Sequence, residues 1–424
     1  MPRSRSGIIG VLDIGTTKIV CFIAQITPDN NLRIIGIGHQ LAQGIKAGAI
    51  TDIRLAENSI IAAVSAAEKM AGETIDKVVV AVSGANPQSV RMEAQVPIPG
   101  QVSPRDMKRA VIHARENYVS EEKRRIIHSV PISFMVDDIR GIDDPIGMTG
   151  DQLTADVHLI TASDTTIKNI ANCANRCQLD IQDYVIASHA AGLSALTEDE
   201  RELGVTLIEM GGGVTGISVF YHGKNIFTDT VPYGGTNVTS DIARGLNTSL
   251  ACAERIKTLY GSAIPSASDD DTLIEIAQMN EDTGEYTEEM AVPKTKLVQI
   301  IQPRMEEIFE MVKAKLVSKQ ILQIASQQIV LSGGASQLVG VRELAMKKFG
   351  RTVRIGRPEV IEGMADSTSS SAFSASVGLI NYISMNYHIY DKVEPSVTRY
   401  LQSTSSTSSS GLVGGIIKWL KENF

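Results

Sequence analysis

Apolar and polar positions alternate in a way that repeats once along the chain. Residues 8–11 form a short apolar run, a glycine-bearing turn follows, and residues 19–26 continue as a second run of strand character. Asp29-Asn30-Asn31 marks a turn ahead of a third predicted strand at 33–38. Apolar residues at 56–70 then recur at helical spacing, and 77–82 returns to a strand. The opening order comes back at 204–210, 217–221 and 224–231: strand, glycine turn, strand, strand. Helices are predicted at 237–246, 251–259 and 294–316, and a strand at 328–331 runs into Ser332-Gly333-Gly334. A mixed α/β layout used twice predicts two related lobes.

Two regions stand outside that repeat. Residues 84–163 read as an inserted subdomain, with a helix opened by Ser103-Pro104-Arg105-Asp106 and strands at 128–136 and 156–162 around a turn-rich loop at 141–150. A helix is expected from 165 to 184, then a helical stretch to 196, and 266–293 reads as an exposed acidic loop or hairpin. From 393 the composition changes. Residues 396–410 are rich in Ser and Thr and too poor in large apolar groups to bury a core, so a flexible linker is expected there. The predicted division is therefore 1–83 and 164–203 for the first lobe, 84–163 for the insert, 204–392 for the second lobe, 393–410 for the linker and 411–424 for a terminal helix.

Composition narrows the classes. The chain has 424 residues, 43% hydrophobic and 21% charged, enough for several buried cores. Its net charge of -8 without a long basic run argues against nucleic-acid binding. Cys21, Cys173, Cys177 and Cys252 form no CxxC pair and have no histidine at zinc spacing, so they read as reduced core thiols. The N-terminus runs straight into a strand, with too little apolar length for a signal peptide. No apolar segment reaches the ~20 residues that span a bilayer.

Three turns carry candidate chemistry. In Asp13-Ile14-Gly15-Thr16-Thr17-Lys18, small residues let backbone N–H groups and hydroxyls close on an anion, Lys18 adds charge, and Asp13 can hold magnesium through water. A tight hairpin with a solvated Asp and Lys reads equally well. Glu209-Met210-Gly211-Gly212-Gly213-Val214-Thr215 carries three consecutive glycines, which a close backbone approach to a ligand would justify. At Ser332-Gly333-Gly334-Ala335-Ser336 a base or ribose could lie against the backbone, or a helix could simply begin.

Taken jointly, these turns resemble the actin/Hsp70/sugar-kinase superfamily. The phrases GVLDIGTTK, HSVPISFMVDDIRGIDDPIGMTG, DVHLITAS, VPYGGTNVTSDIA and IVLSGGASQLVG narrow the resemblance to the FtsA family of bacterial cell-division proteins. It implies an α/β, actin-like two-lobed ATPase fold with an FtsA-type inserted subdomain. It also implies ATP and Mg2+ as cofactors. Asp13, Gly15, Thr16, Thr17 and Lys18 would form the first phosphate turn and Gly211, Gly212 and Gly213 the second. Gly234 and Gly235 would line the cleft, with Glu254 and Lys257 near the ribose or base and Gly333 and Gly334 closing the adenosine pocket. Read bare, Glu254 and Lys257 are equally a solvated helix pair at i, i+3. Asp13 and Glu209 would face magnesium through water. Relatives often have Asp at the position of Glu209, and a hydroxyl residue and an acid at those of Val214 and Gly216. Turnover is therefore expected to be slow or absent.

The resemblance further implies a peripheral protein at the division site, on the cytoplasmic face of the bacterial inner membrane, that self-assembles into filaments and recruits later division proteins. The segment Gln302-Pro303-Arg304-Met305-Glu306-Glu307 is similar to the family region that receives the C-terminal peptide of FtsZ, with Arg304 and Glu307 as the matched positions; a solvated helix face reads equally. As a helix, the end of the chain would set Leu412, Val413, Ile416, Ile417, Trp419, Leu420 and Phe424 along one side. Burying five or six such side chains fully would be worth roughly 8–15 kcal/mol, less for partial burial at an interface, so one tail would bind anionic lipid weakly and a filament of tails tightly. Two other classes share the superfamily fold: an actin-like scaffold of a type IV pilus machine and a small-molecule kinase.

Overall fold

A computed structural model describes residues 7–27, 32–120, 123–279, 286–319, 321 and 328–392. The predicted linker and terminal helix lie outside them. Two five-stranded sheets of identical topology form the body among the described residues. The first contains β1 (Ile8–Ile14), β2 (Lys18–Ile26), β3 (Leu32–Leu41), a strand at Lys77–Val82 and a strand at Asp180–Ile186, in the order Asp180–Ile186, Lys77–Val82, β1, β2, β3. A two-stranded ribbon, β4 (Ile45–Lys46) and β5 (Ala49–Ile50), follows β3, which makes Lys77–Val82 β6. β1 runs antiparallel to β2 and parallel to β6.

Between β6 and the fifth strand, the insert forms its own antiparallel sheet in the order β7-β10-β8-β9, from β7 (Gln88–Gln101), β8 (Arg124–Val136), β9 (Ile139–Ile142) and β10 (Thr149–Ser163). The strand Asp180–Ile186 is then β11. One helix, Pro104–Glu116, covers the insert's sheet around Ala110, Ala114, Val157 and Leu159. Asp106 fixes its start by accepting hydrogen bonds from the Ser103 N–H at 3.0 Å and hydroxyl at 2.6 Å.

The second sheet repeats the first with β12 (Val205–Met210), β13 (Thr215–Tyr221) and β14 (Lys224–Val231). A hairpin, β15 (Leu273–Met279) with β16 (Tyr286–Pro293), precedes β17 (Gln328–Ser332) and β18 (Thr352–Ile355). The order is β14-β13-β12-β17-β18, with β12 antiparallel to β13 and parallel to β17. β1 and β12 are apolar on both faces because each sheet has helices on both sides.

Helices Ala187–Ala195 and Ser374–Lys392 cross between the sheets, within a core that draws on Val11, Phe22 and Ala81 of one lobe and Leu207, Phe220 and Val330 of the other. Their backbones approach so closely that a Cβ on Gly378 would fall 1.8 Å from the Ala190 carbonyl oxygen. The closing helix lies within the stretch that the sequence places in the second lobe, yet it packs on β1, β2 and β6 of the first.

Several elements, among them β9, β18 and the helix Val341–Phe349, have no counterpart in the sequence reading, and two further departures are instructive. The helix expected to reach 184 ends at Arg176, and Asp180–Ile186 is a strand. Gln178 takes a left-handed φ of 62°, which breaks the helix without a Gly or Pro to announce it. β7 has no counterpart in the expected elements, and Pro97, Pro99 and Gly100 lie within it. It is a sheet edge, where proline is tolerated.

Candidate functional site

The two glycine turns meet in the cleft between the sheets. β1 ends at Ile14 and β2 begins at Lys18, while β12 ends at Met210 and β13 begins at Thr215. Residues 15–17 and 211–214 therefore point toward each other from opposite lobes. A Cβ on Gly212 would lie 2.4 Å from Thr17 Cγ2, and one on Gly213 would lie 2.6 Å from Thr16 Oγ1 and 2.9 Å from Ala47 Cα. Thr16 is fixed in turn, its Oγ1 accepting the Gly48 N–H at 2.9 Å.

Beneath the turns sit two buried carboxylates and one lysine. Asp13 accepts a hydrogen bond from the Ser376 hydroxyl at 2.9 Å, and burial raises its pKa against the opposing pull of Lys18. Burial likewise raises Glu209 to about 7, and the negative charge of Asp13 adds to it. Lys18 is lowered to about 8 by burial, with Asp13 and Glu209 pulling the other way. Its ammonium donates to the Ala372 carbonyl at 2.6 Å and lies 3.4 Å from the centre of the Phe373 ring. Burial thus holds two acids toward their neutral forms around one cation.

The second-lobe turn is braced through the backbone. Gly235 N–H donates to Gly211 O at 3.0 Å and Thr236 N–H to Gly212 O at 2.8 Å. A Cβ on Gly234 would sit 2.5 Å from Gly211 O, so only glycine permits this approach. Gly235 also opens the helix Gly235–Gly245, so the first two N–H groups of that helix are the ones that hold the turn. Lys257 reaches the same helix, donating to Gly235 O at 3.1 Å, Thr239 Oγ1 at 2.8 Å and Glu254 Oε2 at 2.7 Å. Glu254 and Lys257 are thus joined to the cleft wall as well as to each other.

Gly333 completes the arrangement at φ 84°, with its N–H donating to Ser371 O at 3.0 Å. A Cβ there would strike Met210 O at 2.4 Å. Gly334 begins a short 3-10 turn, Gly334–Gln337, beside a cavity of about 480 Å3 lined by Ser336, Gln337, Arg342, Arg357, Ser370 and Ser371. The structure therefore gathers Asp13, Gly15, Thr16, Thr17, Lys18, Glu209, Gly211 to Gly213, Gly234, Gly235, Glu254, Lys257, Gly333 and Gly334 around one cleft. The segment 371–376 was not apparent from the sequence, although Ser371, Ala372, Phe373 and Ser376 hold Gly333, Lys18 and Asp13 in place. The run Ser367-Thr368-Ser369-Ser370-Ser371 ahead of an apolar helix is the signal that marks it.

Arg304 and Glu307 lie on the helix Lys294–Ser318 and pair with each other. Arg304 also clasps Asp241, Nε to Oδ2 at 2.6 Å and Nη2 to Oδ1 at 3.2 Å. Leu412, Val413, Ile416, Ile417, Trp419, Leu420 and Phe424 lie outside the described residues. No described helix is long and apolar enough to cross a membrane.

A family model described as Cell division protein FtsA matches residues 206–378, and one described as SHS2 domain inserted in FTSA matches 84–161. The chain is 38% identical over 437 aligned residues to the cell division protein FtsA of Rhizobium meliloti, covering 100% of this chain and 96% of that one. It is 30% identical to FtsA of Escherichia coli, with 97% of each covered. Among solved structures, the PilM-PilN type IV pilus biogenesis complex aligns with TM-score 0.63 at 16% identity, over 90% of this chain and 99% of that chain. MreB5 of Spiroplasma citri bound to ADP aligns with TM-score 0.55 at 12% identity, over 92% and 100%. Both share the actin-like fold with this chain.

Proposed function

The chain belongs to the FtsA family of cell-division proteins, and on that premise we propose that it binds ATP with magnesium between its lobes, assembles into actin-like filaments and ties FtsZ to the cytoplasmic membrane. The observation that carries the nucleotide reading is the meeting of the two turns above Asp13, Lys18 and Glu209. What supports the fit is that Gly212, Gly213 and Gly234 present bare backbone packed tightly against Thr17, Thr16 and the Gly211 carbonyl, and that two acids stand beside one lysine. MreB5 structures described as bound to ADP and to AMPPNP have the same fold.

Gly15, Thr16, Thr17, Lys18 and Gly211 to Gly213 would hold the phosphates, and Asp13 and Glu209 would hold magnesium through water. Glu254, Lys257, Gly234, Gly235, Gly333 and Gly334 would face the adenosine. Magnesium supplies charge that offsets the phosphates. Val214 and Gly216 bring no hydroxyl or acid to orient a water, so turnover is slow; phosphate release near about 1 per second would contradict this.

The terminal segment 411–424 supplies the membrane contact, on the strength of its amphipathic pattern. Arg304 and Glu307 receive the FtsZ peptide, which requires the pair with Asp241 to open. Later division proteins join this assembly. The pilus-scaffold alternative has fold likeness alone behind it, and the kinase alternative leaves the terminal segment without a role.

The test is co-sedimentation of the full chain with vesicles containing anionic lipid, with and without ATP, beside a chain ending at Ser410. The full chain should pellet, more so with ATP, carry FtsZ with it, and shift Trp419 emission to the blue. Equal pelleting of both chains would remove the tail from the scheme. No pelleting of either would remove the membrane role.

A further inference from the structure

β14 is one of the two edge strands of the second-lobe sheet. An edge presents unpaired N–H and C=O groups that need covering. Here side chains of the insert stand where a further strand would pair. Ser89 Oγ donates to Thr228 O at 2.8 Å and accepts the Thr228 N–H at 2.7 Å. His158 Nδ1 donates to Asn225 O at 2.8 Å, and its bare Nε2, 2.7 Å from Ser89 Oγ, shares the one serine hydrogen with Thr228 O. Burial lowers the His158 pKa to about 4, so the ring is neutral at pH 7. Lys224 extends the seam from the other side, reaching the Ile132 carbonyl at 2.9 Å and Asp143 at 2.6 Å.

The insert's root is held by the first lobe. Ile160 and Ala162 at the end of β10 belong to the first-lobe core. His128 accepts the Ile186 N–H at 3.1 Å, and Arg125 pairs with Asp164 at 2.8 Å. One body thus touches both lobes: embedded in one and fastened to the open edge of the other. In this arrangement the two cleft turns are in contact. Opening the cleft would pull β14 from Ser89 and His158 and leave buried polar groups without partners.

We propose that the insert is a brace between the lobes, rooted in the first and fastened to β14 of the second, which restrains cleft opening and slows release of the bound ligand. Its effect on release rests on the nucleotide reading; its effect on opening does not.

The experiment is a pair of measurements on the full chain. Spin labels at Met70→Cys and Leu259→Cys, both exposed, report the distance between lobes, with Cys177 and Cys252 replaced by serine. A fluorescent ATP analogue reports dissociation. The release variant is Ser89→Ala with Lys224→Met, and Lys224→Met alone serves if the pair does not fold, because Lys224 lies at the rim. The release variant should widen the interlobe distance distribution about twofold and speed dissociation at least fivefold. Lys224→Met alone should move both in the same direction. An unchanged distribution overturns the brace whatever the nucleotide does. A widened distribution in a chain that never binds ATP keeps the brace and removes the nucleotide reading.

Discussion

Gly15 N–H donates to Lys18 O at 3.0 Å, and Gly211 N–H donates to Val214 O at 2.9 Å. The two turns are therefore built on one plan, and the strand registers align the rest: Asp13 opposite Val20 corresponds to Glu209 opposite Gly216. Thr16, Thr17 and Lys18 of the first lobe then match Gly212, Gly213 and Val214 of the second. One turn offers hydroxyls and a cation; the other offers bare backbone. The reason is steric. Thr16 and Thr17 occupy the space that side chains at 213 and 212 would need, so threonines on one lobe require glycines on the other. Support differs in kind too. Lys18 and Asp13 are tied by their side chains to Ala372 and Ser376, whereas Gly211 and Gly212 are held by backbone N–H groups of Gly235 and Thr236.

Adding a side chain to the bare turn should break the comparison most severely. In Gly213→Val the new Cβ meets Ala47 Cα, which is backbone and gives little, so a loss of about 3 kcal/mol or more in ATP binding is expected, roughly 150-fold. At Gly212 the obstacle is the Thr17 side chain, which can be removed. Gly212→Ala should therefore weaken binding less, and Thr17→Gly in that background should restore part of the loss. Calorimetric titration of both single variants and the double variant reads this as a coupling energy. Strict additivity would show that the turns do not share that space.

Removing the cation from the other turn comes next. Lys18→Met should weaken ATP by about 2 kcal/mol, roughly 30-fold, as for a lost hydrogen bond to a charged group. The same titration should show Val214→Met near wild type, because the equivalent position in the second turn carries no charge. Equal losses in both variants would mean that the charge asymmetry is irrelevant to binding.

This asymmetry was legible in the sequence where glycine and charge cluster, and it was hidden where long-range packing decides. The strand Lys77–Val82 matches its apolar run because a buried central strand carries nearly unbroken apolar sequence, and Lys224–Val231 keeps its predicted bounds although Asn225, Thr228, Asp229 and Thr230 interrupt its apolar residues. All three turns could be found from their glycines. Ser376 could not, since it reaches Asp13 across 363 positions of chain and nothing local marks a serine as a carboxylate's partner. Ala372 is similarly silent, because Lys18 uses its backbone carbonyl. β11 was lost to a helix reading because one residue, Gln178, turns the chain in a left-handed conformation that its type does not advertise.

The two acids sharpen the comparison through pH. Glu209 has its pKa raised from 4.5 to about 7, mainly by burial. A raised carboxyl contributes stability that is fully present below its ordinary pKa and is lost as pH rises through the folded value. Wild type should therefore lose thermal stability relative to Glu209→Gln between about pH 5 and 7, the span set by that shift. Magnesium should move the opposite way, because it needs the ionised form. Its affinity in the presence of ATP should rise about tenfold between pH 6 and 8 as a single group near pH 7 loses its proton. In Glu209→Gln the rise should flatten to that of ATP alone, and a rise that persists beyond it would assign the proton to Asp13 or Lys18.

The mildest change makes the acids alike. Glu209→Asp withdraws the carboxylate by one methylene and gives the second lobe the acid of the first. The site is buried, so the lost methylene should cost about 1 kcal/mol of stability, a fall in Tm of roughly 2–4 °C. ATP affinity should stay within about threefold, since a magnesium ion held through water tolerates a shift that a direct ligand would not. Gly216 stands opposite this acid. A Cβ there would strike Ser188 Cβ at 2.8 Å and lie 3.4 Å from Glu209 Oε2, so the bare position makes room chiefly for Ser188 and leaves the acid in ordinary contact. If Glu209→Asp instead weakens ATP by more than about 30-fold, the extra methylene is a requirement of the site, and the length of its acid is what distinguishes the second lobe from the first.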